Sequence, residues 1–374
     1  MNQNPKKQKK SAEKIPIISY ILLGLALLSA VILLAARLSP SFAVFFNGYV
    51  GGTVRALLAL LTNSLPFSLA ELLIILLPVF ITLLIIYAVN SRSKSLRSIL
   101  TYFVTLISGV SIIFTIFVFS FGTGYHVPTL YERFDIENDG VTINELEETA
   151  QKLVTEINQR VGKISFGSEG FSKMPYSLNE MNNVLNSAFK TVSEKYDFVQ
   201  SFKSNIKPVL MSVPMSYTHT TGVYSFFTGE ANLNVDFPDY TLPYTAAHEL
   251  AHQRGIAREN EANFIAFLVC IESGDVYSEY SAYLNMFEYV AASLYHSDSE
   301  AYKRVYNSLS TSAKSEIAAY SRFYEKYRDS RAGEISSAIN DAYLIANGTQ
   351  EGTKSYGLVV DLAVAYFKGV FDEK

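Results

Sequence analysis

The sequence predicts a membrane protein in two parts: three N-terminal transmembrane helices followed by an α+β, mostly helical domain. Three observations carry this. Of 374 residues, 49% are hydrophobic and mean hydropathy is positive, more apolar than an average soluble chain, with the excess gathered in the first third. After Phe121 charged and polar residues are spread among periodic apolar ones, as one globular unit over residues 122–374 would have. From Tyr244 onward the apolar period is helical almost to the end, whereas Gly222 to Asp236 alternates Val, Phe and Tyr with polar residues and reads as a strand or hairpin.

Residues 1–14 form a basic tail with five lysines. The uncharged Leu/Ala/Ile-rich run Ile15 to Ala36 follows, long enough to cross a bilayer and longer than the apolar core of a cleaved signal peptide, so it reads as an uncleaved anchor. A second span is expected over Leu72 to Val89, introduced by Ser68 and Glu71 at capping-box spacing and containing Pro78, a potential kink. A third is expected over Ile99 to Phe121, completing a membrane domain over 15–121. Between the first two, Phe42 to Leu61 is apolar but broken by Asn47, Gly48, Gly51, Gly52 and Arg55, and reads as an interfacial or re-entrant helix. The basic tail and the group Arg92, Lys94 and Arg97 should share the cytoplasmic side, which three crossings allow and four do not. The bilayer is then the first expected partner of a multi-pass cell-membrane protein whose C-terminal domain is extracytoplasmic.

A formal net charge of −4 gives no broad basic surface, so nucleic acid is not an expected partner. Cys270, the single cysteine, excludes an internal disulfide, cysteine-rich zinc fingers and CxxC redox chemistry, and its apolar helical setting suits a buried thiol. No internal repeat or low-complexity linker is present, and no feature specifies an oligomeric state. Thr142 and Glu145 form a second capping-box signal, opening an amphipathic helix through about Arg160.

The run His248-Glu249-Leu250-Ala251-His252 fits the short metalloprotease pattern HExxH. Side chains four apart lie above one another on a helix, so both imidazoles can reach one Zn²⁺, the expected cofactor. Glu249, about 100° around the helix, falls beside the ion, where a carboxylate can take a proton from water. The helix should run from about Leu242 to Arg254, stopped by Gly255 in a left-handed conformation, with a second helix beginning near Arg258. Two histidines leave a catalytic zinc short of one protein ligand. Glu259 and Glu261 are about 200° apart on that second helix and cannot both face the metal. Glu259 shares its face with the small residues Ala262, Asn263 and Ala266 and is the expected ligand; Glu261 is the alternative, or a helix-terminal contact or salt bridge.

HELAH followed by Glu259-Asn260-Glu261-Ala262-Asn263 resembles the gluzincin metallopeptidases, whose third ligand is the Glu of an ExxxD or ExxAD/N motif. The resemblance implies a zincin-like fold, zinc ligation by His248, His252 and Glu259, a general base in Glu249, and a supporting role for Asn263 in holding a ligating histidine. The separation between the two motifs is shorter than in gluzincins, and Gly255 stands as in the metzincin pattern HExxHxxGxxH. Arg258, however, occupies the place of that pattern's third histidine. The whole layout, with FTGEANLN at Phe227 to Asn234, the HELAHQRGIARENEANF block and the NDAYL and SYGLVVDL segments, also resembles an uncharacterised family of bacterial membrane proteins catalogued as domain of unknown function 3810.

Residues Ala231, Asn232, Leu233 and Asn234 lie where a zincin's substrate-pairing edge strand is expected, with an interior strand as the other reading. Tyr343 and Tyr356, from the family-like C-terminal segments, and His219 are candidates for stabilising an oxyanion, against plain packing roles. His126 and His296 read as surface or membrane-proximal residues. The expected function is hydrolysis of a peptide or protein substrate by zinc-activated water outside the cytoplasm. A non-catalytic membrane sensor or scaffold that keeps a zinc-stabilised fold for peptide binding is the alternative, and Glu249, unnecessary to it, discriminates between them.

Overall fold

The computed structural model describes residues 14–90, 96–136, 140–348 and 358–371. Its first helices are α1 (Ile17–Leu38), α2 (Pro40–Phe45), a π-helical turn (Phe46–Gly51), α3 (Gly52–Asn63), α4 (Leu69–Asn90) and α5 (Leu96–Ser120). Leu73, Ile74, Leu77, Phe80 and Leu83 of α4 are all exposed, and a helix apolar around its whole circumference suits lipid. By length and composition, four stretches could cross a membrane: Ile17–Leu38, Pro40–Asn63, Leu69–Ile86 and Leu96–Ser120. The segment expected to be interfacial is thus a helix of spanning length, though the least hydropathic of the four.

Helices α1 and α5 pack in parallel. Ser111 Oγ lies 3.4 Å from Leu22 O, and Arg37 acts on His126 at the same offset of 89 residues. The Pro40–Asn63 stretch is bonded to the globular part at Asn47, in its first half, and at Asn63, its last residue. Asn47 Nδ2 donates to Gly255 O at 3.2 Å, while Asn63 accepts from Asn205 N and donates to Lys203 O, both at 3.0 Å. The buried Lys207 ammonium donates to Thr62 O and Leu65 O, carbonyls in the last turn of α3 and just beyond it. The capping box expected at Ser68 is half made: Ser68 Oγ accepts from Glu71 N, but the Glu71 carboxylate instead takes the N–H groups of Leu210 and Met211.

Beyond a 3₁₀ turn (Gly122–His126) come α6 (Leu130–Phe134), α7 (Ile143–Val161) and α8 (Leu178–Lys195). Both halves of the Thr142–Glu145 capping box are present at α7. Next are β1 (Lys207–Pro208), α9 (Ser212–Ser216), β2 (Gly222–Ser225) and β3 (Glu230–Leu233), then α10 (Leu242–Gln253), α11 (Glu259–Ile271) and α12 (Val276–Ser297). The chain continues through α13 (Ser299–Asn307), α14 (Thr311–Glu325), α15 (Arg331–Ala346) and α16 (Val359–Phe367). The core is centred on α10, α11 and α12, where Leu250, Phe264, Phe267, Leu284 and Phe287 are buried; α7 and α16 pack on α12, and α8 on α11. Cys270 is buried, as expected, and burial pushes its thiol well up.

The strand order is β1-β3-β2, with β1 parallel and β2 antiparallel to β3. Ala231, Asn232 and Leu233 therefore lie in the interior strand, and Asn234 follows it, so they do not form the edge that the substrate reading required. Their polar side chains tie parts of the chain together. Asn232 Oδ1 accepts from the Ser68 hydroxyl at 2.6 Å, and Glu230 beside it accepts from the N–H groups of Leu69 and Ala70, capping α4. Asn234 Nδ2 donates to Thr220 O and lies 3.1 Å from Ser216 Oγ. The edge strands are β1 and β2.

Candidate metal centre

Helix α10 begins at Leu242, with Pro243 in its first turn where a missing N–H costs nothing, and ends as Arg254 leads into Gly255 at φ +94°. That turn brings α11 back across α10. Glu259 Oε2 then lies 3.2 Å from His248 Nε2 and 3.6 Å from His252 Nε2, and the ligating atoms of all three residues fall within 4.8 Å of one another. A tetrahedral ion with bonds of about 2.0–2.1 Å sets its ligand atoms roughly 3.4 Å apart, so the two distances bracket that value. Glu261 points elsewhere. It accepts from Leu130 N at 3.0 Å and pairs with Arg258 Nη1 at 3.3 Å, as its helix face requires.

The outer contacts of the two histidines differ. His252 Nδ1 is 2.7 Å from Ile256 O, a bond that fixes the ring with Nε2 toward Glu259, and the Phe121 ring meets the imidazole edge-on at 5.8 Å. His248 Nδ1 and Asn263 Nδ2 are each buried without a partner. The bond expected from Asn263 to a ligating histidine is therefore not made: Asn263 accepts instead from the Tyr244 hydroxyl, at 3.0 Å through its backbone oxygen and 3.5 Å through Oδ1. Tyr244 precedes His248 by one helical turn and Asn263 follows Glu259 by one, so this pair braces the crossing just behind the cluster.

Burial works against a charge on His252, but the Glu259 carboxylate outweighs it, with Glu249 and the Ile256 carbonyl adding to the effect, and the imidazole is held up at about 9. Burial likewise opposes ionisation of Glu259, and the two histidines overcome it, holding that carboxyl well below the usual range. Glu249 is shifted the other way. Burial raises its carboxyl, against the pull of both histidines and an N–H bond from Tyr224. Gly222 permits this placement, since a Cβ there would lie 2.6 Å from Glu249 Oε1. Two imidazoles and a carboxylate at this spacing are residues that could hold a divalent cation, with a further carboxylate, Glu249, beside them.

The cluster opens into a cavity of 1470 Å³. One wall is the edge strand β2, through Gly222, Val223 and Tyr224; others come from α12 and α15, and Phe121 and Tyr125 reach in from beyond α5. Tyr343 faces this cavity, its hydroxyl 3.3 Å from that of Tyr125; burial pushes it up to about 12, with the Glu259 charge contributing. His219 also lines the cavity, at φ +57°, but its Nε2 is 2.6 Å from Tyr327 O. As donor to that carbonyl it ties the α14–α15 connection to the loop before β2 and is not free to serve an oxyanion. Tyr356 lies outside the described residues. His296 is exposed, as expected, but stands at the cavity's rim.

Sequence reasoning missed the second polar knot beneath Gly255. Arg55, fully buried, donates to Asn47 Oδ1, Asn47 O, Ser120 O and Gln200 Oε1. Its guanidinium lies against the Gly255 Cα, where a Cβ would come within 2.4 Å. An arginine in an apolar run was the one available signal for it.

Among known proteins, no curated protein and no solved structure matches the chain. A family model described as "Protein of unknown function (DUF3810)" matches residues 49–364, which takes in α3, the sheet, the histidine–glutamate cluster and α15. By that match the chain belongs to the DUF3810 family of proteins of unknown function.

Proposed function

We propose that this protein is a membrane-anchored, zinc-dependent peptidase that hydrolyses peptide bonds outside the cytoplasm. The observation that carries the reading is the convergence of His248, His252 and Glu259 at ligand spacing with Glu249 beside them, in a cavity walled by the edge strand β2. Zinc held there would supply a Lewis acid that polarises a peptide carbonyl and acidifies water. An extended substrate segment pairs with the outer edge of β2 through main-chain hydrogen bonds, largely independent of sequence. Glu249, raised by burial, takes the proton of the attacking water and passes it to the departing nitrogen. Tyr343, facing the same cavity, donates its hydroxyl hydrogen to the oxygen that becomes negative in the transition state.

The topology draws support from the contacts of the Pro40–Asn63 stretch. It meets the globular part both at Asn47, in its first half, and at its last residue, Asn63, which favours an excursion along that surface over a fourth crossing. With α1 and α5 parallel and the first turn of α4 capped by Glu230, three crossings put the basic tail and Arg97 opposite the globular domain. A reporter fused after Lys374 should then be active only outside the cytoplasm.

The test of the peptidase is the full chain in detergent, zinc-loaded, against a peptide library, beside Glu249→Gln at matched zinc content. The wild type should cleave, and the variant should fall by roughly 10²-fold or more with its zinc retained. A wild type that cleaves nothing, while both proteins bind the same peptides equally, replaces the peptidase with a peptide-binding sensor.

A further inference from the structure

The cavity beside the metal cluster has a marked charge imbalance. Among the described residues that line it there is no lysine or arginine, yet there are three carboxylates: Glu249, Glu259 and Glu288. The first two belong to the cluster and share the histidines. Glu288, on the cavity-facing side of α12, has no cation within ion-pair distance among the described residues, and its hydrogen bond there is a long one, 3.4 Å from the Tyr240 hydroxyl.

The surroundings of Glu288 have the form of a side pocket. A second cavity, of 440 Å³, shares Glu288, Ala292, His296 and Tyr320 with the main one, so these four form the neck between the two. Beyond the neck the walls are largely aromatic, including Phe287, Tyr302 and Tyr306. Aromatic faces attract a cation while tolerating the methylene groups that carry it. Tyr289, next along α12, lines the main cavity, and its hydroxyl is raised by burial and then by both Glu288 and Glu259. Tyr289 therefore lies within electrostatic reach of both Glu288 and the cluster, and Glu288 lines the same cavity as β2.

We propose that Glu288 is a specificity-determining residue, and that the neck and side pocket accept a positively charged group of the substrate, an alkylammonium or guanidinium. This rests on the peptidase reading for its meaning, but not for its test. Burial, with a smaller contribution from Glu316, lifts the Glu288 carboxyl to about 7 while the Tyr240 bond opposes it, so the ionised form is costly until a cation joins it. An anionic side chain entering the same neck finds the like charge of Glu288 and, among the described residues that line it, no lysine or arginine to pair with. Two sources supply the cation: a lysine or arginine side chain, or the free amine at a peptide's N-terminus.

The experiment measures binding, with turnover removed. Full-length protein carrying Glu249→Gln, zinc-loaded in detergent, is titrated with three fluorescent peptides: N-acetylated with one internal lysine, N-acetylated with norleucine in its place, and the norleucine peptide with a free N-terminus. The charged probe that fits should bind about tenfold more tightly than the acetylated norleucine peptide, the value of one charge-assisted hydrogen bond in a partly buried site. Glu288→Gln, which keeps the shape and an acceptor for Tyr240, should erase that preference while leaving norleucine affinity and the melting temperature unchanged. A preference for the lysine peptide assigns a side-chain pocket; one for the free N-terminus assigns an amine-reading site. Equal binding of all three peptides, or a preference that survives Glu288→Gln, overturns the proposal. Loss of hydrolysis in the wild type with the charge preference intact would instead count against the peptidase alone.

Discussion

Two buried charged centres lie on either side of the Gly255 turn, and they differ in what meets the charge. Arg55 is held by neutral acceptors: an asparagine side chain and carbonyl, the carbonyl that ends α5 and a glutamine side chain. The charges of the His248–His252–Glu259 cluster meet chiefly one another, groups that can change protonation, with the Ile256 carbonyl also on His252; each centre leaves one buried nitrogen without a bond, Arg55 Nε and His248 Nδ1. A charge satisfied by fixed dipoles joins two parts of a structure, because removing it leaves several buried acceptors unpaired. A charge satisfied chiefly by ionisable neighbours can be exchanged for another cation.

The largest expected effect breaks the first centre. Arg55→Ala should lower the stability of the detergent-solubilised chain by about 3–5 kcal/mol in denaturant unfolding, with or without zinc, since it empties a fully buried site against Gly255. An unchanged midpoint would make the junction incidental. A smaller, more local effect is expected at Gly222. Adding a methyl within 2.6 Å of Glu249 Oε1 must shift that carboxylate, so Gly222→Ala should cut hydrolysis by roughly 10²-fold while zinc content stays at the wild-type level. Parallel loss of zinc and activity would show that the strand supports the ligands and not the base.

The smallest effect is a pH dependence. In metal-free protein His252 sits at about 9, above the ordinary 6.5, so its pairing with Glu259 stabilises fully below about 6.5 and is lost as pH rises through about 9. Zinc requires the neutral imidazole. The melting-temperature difference between zinc-loaded and chelator-treated protein should therefore widen from pH 6.5 to 9. A constant difference would mean that no proton leaves the cluster when the ion binds.

What the sequence disclosed followed helical periodicity. The positions of His248, His252 and Glu259, the left-handed Gly255 and the outward turn of Glu261 all depend on residues within about three helical turns, where 3.6-residue geometry is a sufficient guide. The β2–β3 hairpin was equally local. Strand order was not: β1 takes the far side of β3 from a separate part of the chain, so the strand nearest α10 in sequence is interior, between β1 and β2. Asn232 is occupied by Ser68, 164 residues away, and Arg55 by Gln200, 145 away, pairings that no local pattern encodes. Asn263 was placed on the correct face of α11, yet its carbonyl groups went to Tyr244, because side chains one turn behind the metal face also meet there. Glu288 needed the cavity itself, since its significance lies in the absence of lysine and arginine among the described residues of the surrounding wall.

The most direct measurement is the zinc content of purified full-length protein and four variants after dialysis against buffered trace zinc. Wild type and Glu261→Ala should each retain close to one equivalent, while His248→Ala, His252→Ala and Glu259→Ala should fall close to zero. Retention of zinc by Glu259→Ala together with its loss from Glu261→Ala would contradict the proposed metal centre.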